Sequence, residues 1–187
     1  NSEMAEAIAE EEGIELSSLC GKRECFLFQV LKNGSLLIAG SDKRGTIYGL
    51  FHISELMGVS PFVHFADVVP APQKEIIFSE KDSMQSKEPS VKYRGFFIND
   101  EWPAFGNWTF SHYGGFTAEM YDLIFETLLR LKGNYLWPAM WTSSFSLDGP
   151  GEQNAILADE YGVVMSNSHH EPCLRHSEEW DKVRGEQ

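Results

Sequence analysis

The sequence YRGFFI at residues 93–98, followed by YLWPAM at 135–140 and VVM at 163–165, decides the fold of the second half of the chain. Each is a short apolar run of the kind that forms a buried strand. Residues 118–131 and 151–161, which separate these runs, have the pattern of helices. Strands alternating with helices build a parallel sheet, because a parallel crossover needs a connection of helical length. We therefore predict an α/β unit that contains three strand–helix steps.

The first of the two helices carries the clearest signals. Thr117 is a good N-cap, and Gly133 follows the last apolar position. The apolar stripe between them has residues three and four positions apart: Met120, Leu123, Ile124, Thr127, Leu128 and Leu131. The second helix, 151–161, is closed by Gly162. Residues 102–116, rich in aromatic residues and glycine, are interpreted as a connecting loop.

Hydrophobic periodicity does not distinguish a barrel from a doubly wound sheet. No glycine-rich phosphate loop follows any of the three predicted strands, which argues against dinucleotide binding. Polar and aromatic residues follow all three: NDE at 99–101, WPAMW at 137–141 and SHHEP at 168–172. Barrel enzymes build their active sites at this end of the strands. The pattern therefore favours the first three βα units of an incomplete (β/α)8 TIM barrel.

The first half of the chain predicts a small α+β domain. Residues 4–12 and 47–57 have helical patterns. The apolar runs 25–31 and 35–39 are joined through Lys32-Asn33-Gly34, and Asn-Gly is a strong hairpin signal. Residues 78–90 are polar and without periodicity, so we place a domain boundary near Pro89. The expected domains are 1–89 and 90–187.

Composition narrows the function classes. The chain has 187 residues, of which 42% are hydrophobic, and a formal net charge of −13. That charge disfavours nucleic acid and anionic membranes as partners. No apolar run approaches the roughly 20 residues that cross a bilayer. The chain begins with Asn1 and shows no signal-peptide pattern, so any such peptide has been removed or was never included. Three cysteines without a C-x-x-C spacing indicate no disulfide framework.

The first strand end offers Asn99, Asp100 and Glu101 as candidate site residues. Strand alternation puts Asn99 and Glu101 on the face of Gly95 and Phe97, and Asp100 on the opposite face with Phe96 and Ile98. In a barrel the first face would line the interior, with Glu101 at its mouth. The alternative is that Asn-Asp only forms a turn.

The second strand end offers two tryptophans and a carboxylate. Trp137 and Trp141 flank Pro138, and their flat rings could stack on a sugar or simply pack in the core. Asp148 could be a catalytic acid, or it could form a turn with Gly149 and Pro150.

The third strand end, His169-His170-Glu171, supplies donors, acceptors and a proton carrier. Zinc is the rival interpretation, but adjacent strand residues point in opposite directions and the H-E-x-x-H spacing is absent. We expect no metal. Either Ser166, Ser168 and His170 or Asn167, His169 and Glu171 could face the interior, and both histidines could do so if the strand has already ended.

These motifs resemble those of glycoside hydrolase family 115, the xylan α-1,2-glucuronidases. YRGFFINDE at 93–101, LLRLKGNYLWPAMW at 128–141 and DEYGVVMSNSHHEPCLR at 159–175 look like the opening of that family's barrel. Residues 38–69 are similar to its N-terminal domain, a hexosaminidase-like accessory domain. Phe62 and Phe65 depart from the larger aromatic residues expected there. The resemblance implies that the 187 residues are an N-terminal fragment.

The resemblance further implies an inverting hydrolase that removes glucuronic or 4-O-methylglucuronic acid branches from xylan, without a cofactor. Glu101, Asp148 and Glu171 are the candidate catalytic acids. Sugar-binding or supporting roles fall to a larger set: Asn99, Asp100, Trp137, Trp141, His169 and His170. The expected partners are glucuronoxylan and aldouronic acid oligosaccharides, and the expected location is extracellular or periplasmic. The sequence does not indicate an oligomeric state.

Two alternatives remain open at the level of sequence. The first is a non-catalytic carbohydrate-binding remnant, in which the same aromatic residues hold a sugar without a reaction. The second is another glycosidase that shares the N-terminal domain, such as a β-hexosaminidase, although the INDE, WPAMW and SHHEP runs argue against it.

Overall fold

The computed structural model of the protein describes residues 2–66, 69–99, 102–141, 143–167, 169, 175–176 and 179–184. The chain forms two compact units, Asn1–Lys92 and Tyr93–Gln187. None of the described helices is both long and apolar enough to cross a membrane.

Six helices and six strands organise the described residues. The first unit contains α1 (Glu3–Glu11), β1 (Phe26–Val30), β2 (Leu36–Gly40), α2 (Lys43–Leu56) and β3 (Met84–Gln85). The second unit contains β4 (Gly95–Phe97), α3 (Phe105–Tyr113), α4 (Ala118–Arg130), β5 (Tyr135–Trp137), α5 (Gln153–Tyr161), β6 (Val164–Met165) and α6 (Glu179–Val183).

The first unit is built on the predicted hairpin, which the structure confirms. Strands β1 and β2 pair antiparallel with Phe28 opposite Ile38. In the turn the Asn33 side chain accepts a hydrogen bond from the Ser35 N–H at 2.9 Å, and Gly34 has a φ of 83°. A positive φ is readily adopted by glycine, so the Asn-Gly pair sets the geometry of the hairpin.

The polar segment 78–90, within which the sequence places a domain boundary, also contains a strand that the sequence did not predict. Strand β3 lies within it and pairs antiparallel with β1, giving the sheet order β2-β1-β3. The Ser86 and Ser83 hydroxyls accept hydrogen bonds from the N–H groups of Phe26 and Val30 at 2.8 and 2.9 Å. The serine side chains on either side of the two-residue strand β3 thus accept hydrogen bonds from β1 N–H groups beyond the paired residues. A pairing this short leaves no hydrophobic alternation in the sequence.

Helix α2 is fastened to the sheet through its N-terminus. The Asp42 carboxylate caps the helix by accepting from the Gly45 N–H at 2.8 Å, and it also accepts from the Glu24 N–H at 2.8 Å. Glu24 is buried and forms an ion pair with Arg44. A Cβ atom at Gly45 would lie 2.2 Å from the Cys25 carbonyl oxygen, so the close contact between helix and strand requires glycine.

The second unit contains a parallel sheet of order β4-β5-β6, with Phe96 opposite Leu136 and Leu136 opposite Met165. This confirms the predicted alternation of strands and helices. Leu136 is fully buried on one face, whereas Gly95 and Trp137 lie exposed on the other.

Helices α4 and α5 pack against each other, and a hydrogen bond joins them. The Tyr161 hydroxyl donates to the Asp122 carboxylate at 2.5 Å. Burial of the phenol, and secondarily this hydrogen bond, raise the pKa of Tyr161 above its usual value. The two helices are therefore linked by a polar contact as well as by apolar packing.

Residues 102–116 were expected to form a loop, but residues Phe105–Tyr113 form helix α3. Gly114 ends the helix in the left-handed conformation, with a φ of 72°. Aromatic rings along the helix pack on one another: Phe105 lies nearly parallel to Trp108, with ring centroids 5.6 Å apart. Sequence periodicity does not detect a helix stabilised in this way.

Candidate functional site

Five side chains at or after the C-terminal ends of the three parallel strands come together. We call this group the strand-end cluster: Phe97, Asn99, Trp137, Trp141 and His169. Four of these residues were sequence candidates, and Phe97 was expected on the same face as Asn99. The parallel sheet brings them together because its strands all end at the same edge.

Asn99 and Trp141 join the first strand end to the second. The Trp141 indole N–H donates to the Asn99 side-chain oxygen at 3.2 Å. The rings of Phe97 and Trp137, paired in register on β4 and β5, meet edge to face with centroids 6.0 Å apart. The Trp137 indole N–H donates to the Tyr135 hydroxyl at 3.1 Å. Both tryptophans are thus held in place, while about two fifths of each side chain's surface remains exposed.

His169 joins the cluster because strand β6 ends before it. In the register of β6, Met165 pairs with Leu136, so a continued strand would direct His169 towards the buried face. Instead His169 lies in a turn with a φ of 52°. Its ring centroid lies 5.5 Å from that of Trp141 and 6.1 Å from that of Phe97. The sequence left open whether His169 or its neighbours face the interior. The turn, and not strand alternation, determines the direction of the His169 side chain.

A buried tyrosine, Tyr121, forms a hydrogen bond to the backbone at the second strand end. The backbone N–H of Ala139, which follows Pro138, donates to the Tyr121 hydroxyl at 3.2 Å. Tyr121 is fully buried in α4 and its ring meets that of Phe145 edge to face, with centroids 4.9 Å apart. The sequence analysis missed Tyr121, whose polar hydroxyl on the buried side of an amphipathic helix is the signal that could have revealed it.

Asp148 has contacts that favour its turn-forming alternative. Its carboxylate accepts from the Ser144 backbone N–H at 2.5 Å, and its own N–H donates to the Ser144 carbonyl at 3.1 Å. It also forms a backbone bridge with Gly151. These contacts close the loop between β5 and α5, and a carboxylate used in this way shapes the loop.

Two further buried polar residues, not identified from the sequence, hold the loops around the strand ends. Asn154 is fully buried in α5 and donates to the carbonyls of Phe116 and Phe145, both at 3.0 Å. Glu179 accepts from the Ser146 hydroxyl at 2.6 Å. Asn154 lies one turn before the buried Ala158, and a polar residue on a buried helix face is a recognisable sequence signal.

The remaining candidates, Asp100, Glu101, His170 and Glu171, lie outside the described residues. Their roles stay predictions. Within the described ranges, no group of three or more His, Cys, Asp or Glu residues is placed to hold a metal ion.

The strand-end cluster has the chemistry of a sugar site. Exposed indole rings bury the apolar faces of a pyranose, while the Asn99 amide and the His169 imidazole can form hydrogen bonds to hydroxyl or carboxylate groups. The five residues of the cluster include no carboxylic acid, the group that transfers the proton in most glycoside hydrolyses.

Comparison with known proteins gives the family. A sequence model of glycosyl hydrolase family 115 matches residues 86–187. A solved structure of a family 115 4-O-methyl-α-glucuronidase, BtGH115A, described as having specificity for decorated arabinogalactans, matches with a TM-score of 0.81 and 38% sequence identity. The match covers 96% of this chain and 24% of the BtGH115A chain. A comparison with curated proteins gave no match. The chain therefore belongs to glycosyl hydrolase family 115.

Proposed function

We propose that these residues are part of a longer, secreted α-glucuronidase, referred to below as the complete enzyme. In it, β4, β5 and β6 are the first three strands of a (β/α)8 barrel, and the strand-end cluster lies at the barrel mouth. The enzyme removes glucuronic or 4-O-methylglucuronic acid side chains from a plant polysaccharide.

The observation that carries this proposal is the meeting of Asn99, Trp141 and His169 from three successive strand ends. Family membership supplies the reaction class, a glycoside hydrolysis. The cluster supplies a place where a single sugar ring can be held between indole faces and polar groups. Binding at strand ends is the arrangement that barrel enzymes use.

We propose hydrolysis with inversion. One carboxylic acid donates its proton to the glycosidic oxygen as the bond to the anomeric carbon breaks. A second carboxylate takes a proton from a water molecule whose oxygen attacks the opposite face of that carbon, with the two carboxyl groups about 6.5 to 9.5 Å apart. Glu101 and Glu171, which follow β4 and β6, are our candidates within this chain. Asp148 is the weaker candidate because its carboxylate closes a turn.

Xylan is the substrate that the sequence motifs suggest, and decorated arabinogalactan is a second candidate. The second is favoured by the likeness to BtGH115A, at 38% identity over nearly the whole chain. Both carry uronic acid branches on a neutral main chain. The strand-end cluster would take the branch, which is common to both.

Initial rates of uronic acid release by the complete enzyme on glucuronoxylan and on glucuronic acid-decorated arabinogalactan would test the proposal. Proton NMR during the first turnovers identifies the anomer released, and inversion of an α-linkage requires the β-anomer first. Glu101→Gln should lower turnover at least about a hundredfold, as loss of general acid or base catalysis does. No release from either polymer would refute the activity, and the α-anomer first would refute inversion.

The same assay separates an enzyme from a carbohydrate-binding remnant and tests the role of the histidines. His169→Ala should raise KM or lower turnover on aldouronic acids, and exhaustive chelation should leave the wild-type rate unchanged. Sugar binding without release would support the remnant. Activity lost on chelation, and restored by zinc only with His169 and His170 both present, would replace the metal-free proposal.

A further inference from the structure

A second aromatic surface lies on and before helix α3, in the segment that follows the first strand end. Six aromatic residues occur within residues 102–116, and the segment contains no Asp, Glu, Lys or Arg in a chain whose net charge is −13. Trp102 and Phe110 are 48% and 46% exposed. Large aromatic side chains exposed side by side are characteristic of binding sites.

The two rings are held in position by the residues beneath them. Their centroids are 5.4 Å apart with an interplanar angle of 45°. Phe110 also meets the buried Phe116 edge to face at 6.1 Å. A Cβ atom at Gly106 would lie 2.6 Å from the Trp102 indole, so the indole rests directly on the helix backbone. Trp102 and Phe110 thus form a supported surface, which we call the α3 platform.

The chain itself keeps the α3 platform close to the strand-end cluster. Trp102 follows Asn99 by three residues. Three peptide units span at most about 11 Å between Cα atoms, which is about the length of two sugar residues. A polysaccharide whose branch sugar occupied the strand-end cluster would therefore bring its neighbouring residues within reach of the platform.

We propose that the α3 platform binds the neutral main chain of the branched polysaccharide, an inference that rests on the proposed function. Residues 102–116 supply no charged side chain to pair with an ionic ligand, and the chain's net charge of −13, with Asp100 and Glu101 directly before Trp102 in the sequence, disfavours an anionic one, so an uncharged partner fits best. Main-chain pyranoses present apolar C–H faces, and these stack on indole and phenyl rings. The platform thereby binds the main chain, whereas the strand-end cluster binds the branch sugar.

The test uses calorimetric titration of the complete enzyme with xylose and galactose oligosaccharides that carry no uronic acid. We expect the wild type to bind at least one series, and Trp102→Ala or Phe110→Ala to weaken that binding by about tenfold, as loss of an aromatic anchor does. Phe62→Ala is the matched control, because Phe62 in the first unit is also 46% exposed. Its affinity should equal that of the wild type.

Kinetics on substrates of two lengths provide the second readout. The platform variants should raise KM for the polymer and leave KM for a short aldouronic acid unchanged. Trp102→Leu and Phe110→Leu, which retain apolar bulk without an aromatic face, should behave as the alanine variants do. They decide the question if melting temperatures show that an alanine variant does not fold.

Each contrary outcome has a definite meaning. Unchanged binding of neutral oligosaccharides in the platform variants, or no such binding by the wild type, overturns the proposal even if uronic acid release is normal. A dimer that becomes a monomer in Trp102→Ala, with sugar binding unaffected, makes the surface an interface between copies and also overturns it. Failure of all uronic acid release refutes the proposed function, while the titration still judges the platform.

Discussion

Replacing the buried Asn154 tests whether its two hydrogen bonds hold the loops around the strand ends. Its Nδ2 group donates to the carbonyls of Phe116 and Phe145, which lie before α4 and after β5, both at 3.0 Å. Its Oδ1 atom is buried and has no hydrogen-bond partner among the described residues. Asn154→Ala leaves two carbonyls without donors but also removes one unsatisfied acceptor. Since each such group costs about 1 to 3 kcal/mol, we expect a net destabilisation of about 1 to 3 kcal/mol.

Asn154→Asp is the sharper change, because it keeps the shape and replaces the donor by a carboxyl group facing two carbonyl oxygens. Burial and these oxygens should raise the folded-state pKa of the new carboxyl by about 3 units, which corresponds to about 4 kcal/mol at pH 7. The folded state then binds more protons than the unfolded state, so stability falls as pH rises. At pH 5 the cost should shrink to about 1.5 kcal/mol, because the unfolded carboxyl has a pKa near 3.9.

Native-state hydrogen exchange by mass spectrometry on the complete enzyme measures these opening free energies locally. Peptides covering residues 116–121 and 145–158 should lose protection, more at pH 7 than at pH 5 once intrinsic exchange is corrected. Asn33→Asp is the control, because exposed Asn33 only accepts from the Ser35 N–H, as a carboxylate can. It should change stability by less than about 0.5 kcal/mol. Wild-type protection of Asn154→Asp at pH 7, or a cost that does not shrink at pH 5, would refute the reasoning.

Three further predictions concern packing, thiol reactivity and support of the site. Leu128→Ala, in the buried face of α4, should cost about 2 to 5 kcal/mol of local stability by hydrogen exchange, and a cost below about 1 kcal/mol would contradict that packing. In the complete enzyme in its native state, iodoacetamide should label exposed Cys20 faster than buried Cys25. Burial raises the pKa of the Cys25 thiol and so lowers its thiolate fraction. Mass spectrometry of tryptic peptides checks the order, and equal labelling rates would contradict it. Tyr121→Phe removes the hydroxyl that accepts a hydrogen bond from the Ala139 N–H. KM for uronic acid release should therefore rise about threefold to tenfold at unchanged kcat. An unchanged KM would show that Tyr121 does not position the site.

The sequence predicted those elements whose signals are local. The β1–β2 hairpin follows from Asn33-Gly34, and α4 follows from an apolar stripe of the correct period that begins after Thr117. Strand β3 and helix α3 were missed for the converse reason. Strand β3 is held by two serine hydroxyls and α3 by rings packed on one another, and neither interaction leaves a hydrophobic period.

The candidate site was predicted in part, because a residue's position after a strand can be inferred from sequence while its direction cannot. Asn99, Trp137 and Trp141 were identified from their places at predicted strand ends, and the structure brings Asn99 and Trp141 within hydrogen-bonding distance. For Asp148 the structure shows a turn-forming contact, since its carboxylate accepts from the Ser144 backbone N–H, and its catalytic role stays a prediction. A turn and a catalytic loop use the same residue types, so composition does not separate them.

The sequence by itself determined the alternation of three strands with helices α4 and α5 in the second unit and the family resemblance, since both depend on patterns along the chain. Only the tertiary structure decided that His169 turns towards Trp141 and Phe97, since the end of β6 at Met165 and the left-handed backbone at His169 reverse the direction that alternation would give. It also decided the placement of Tyr121 and Asn154, whose partners lie 18 residues away in one case and 38 and 9 residues away in the other. Contacts of this kind depend on which surfaces meet after folding, and no local period encodes them.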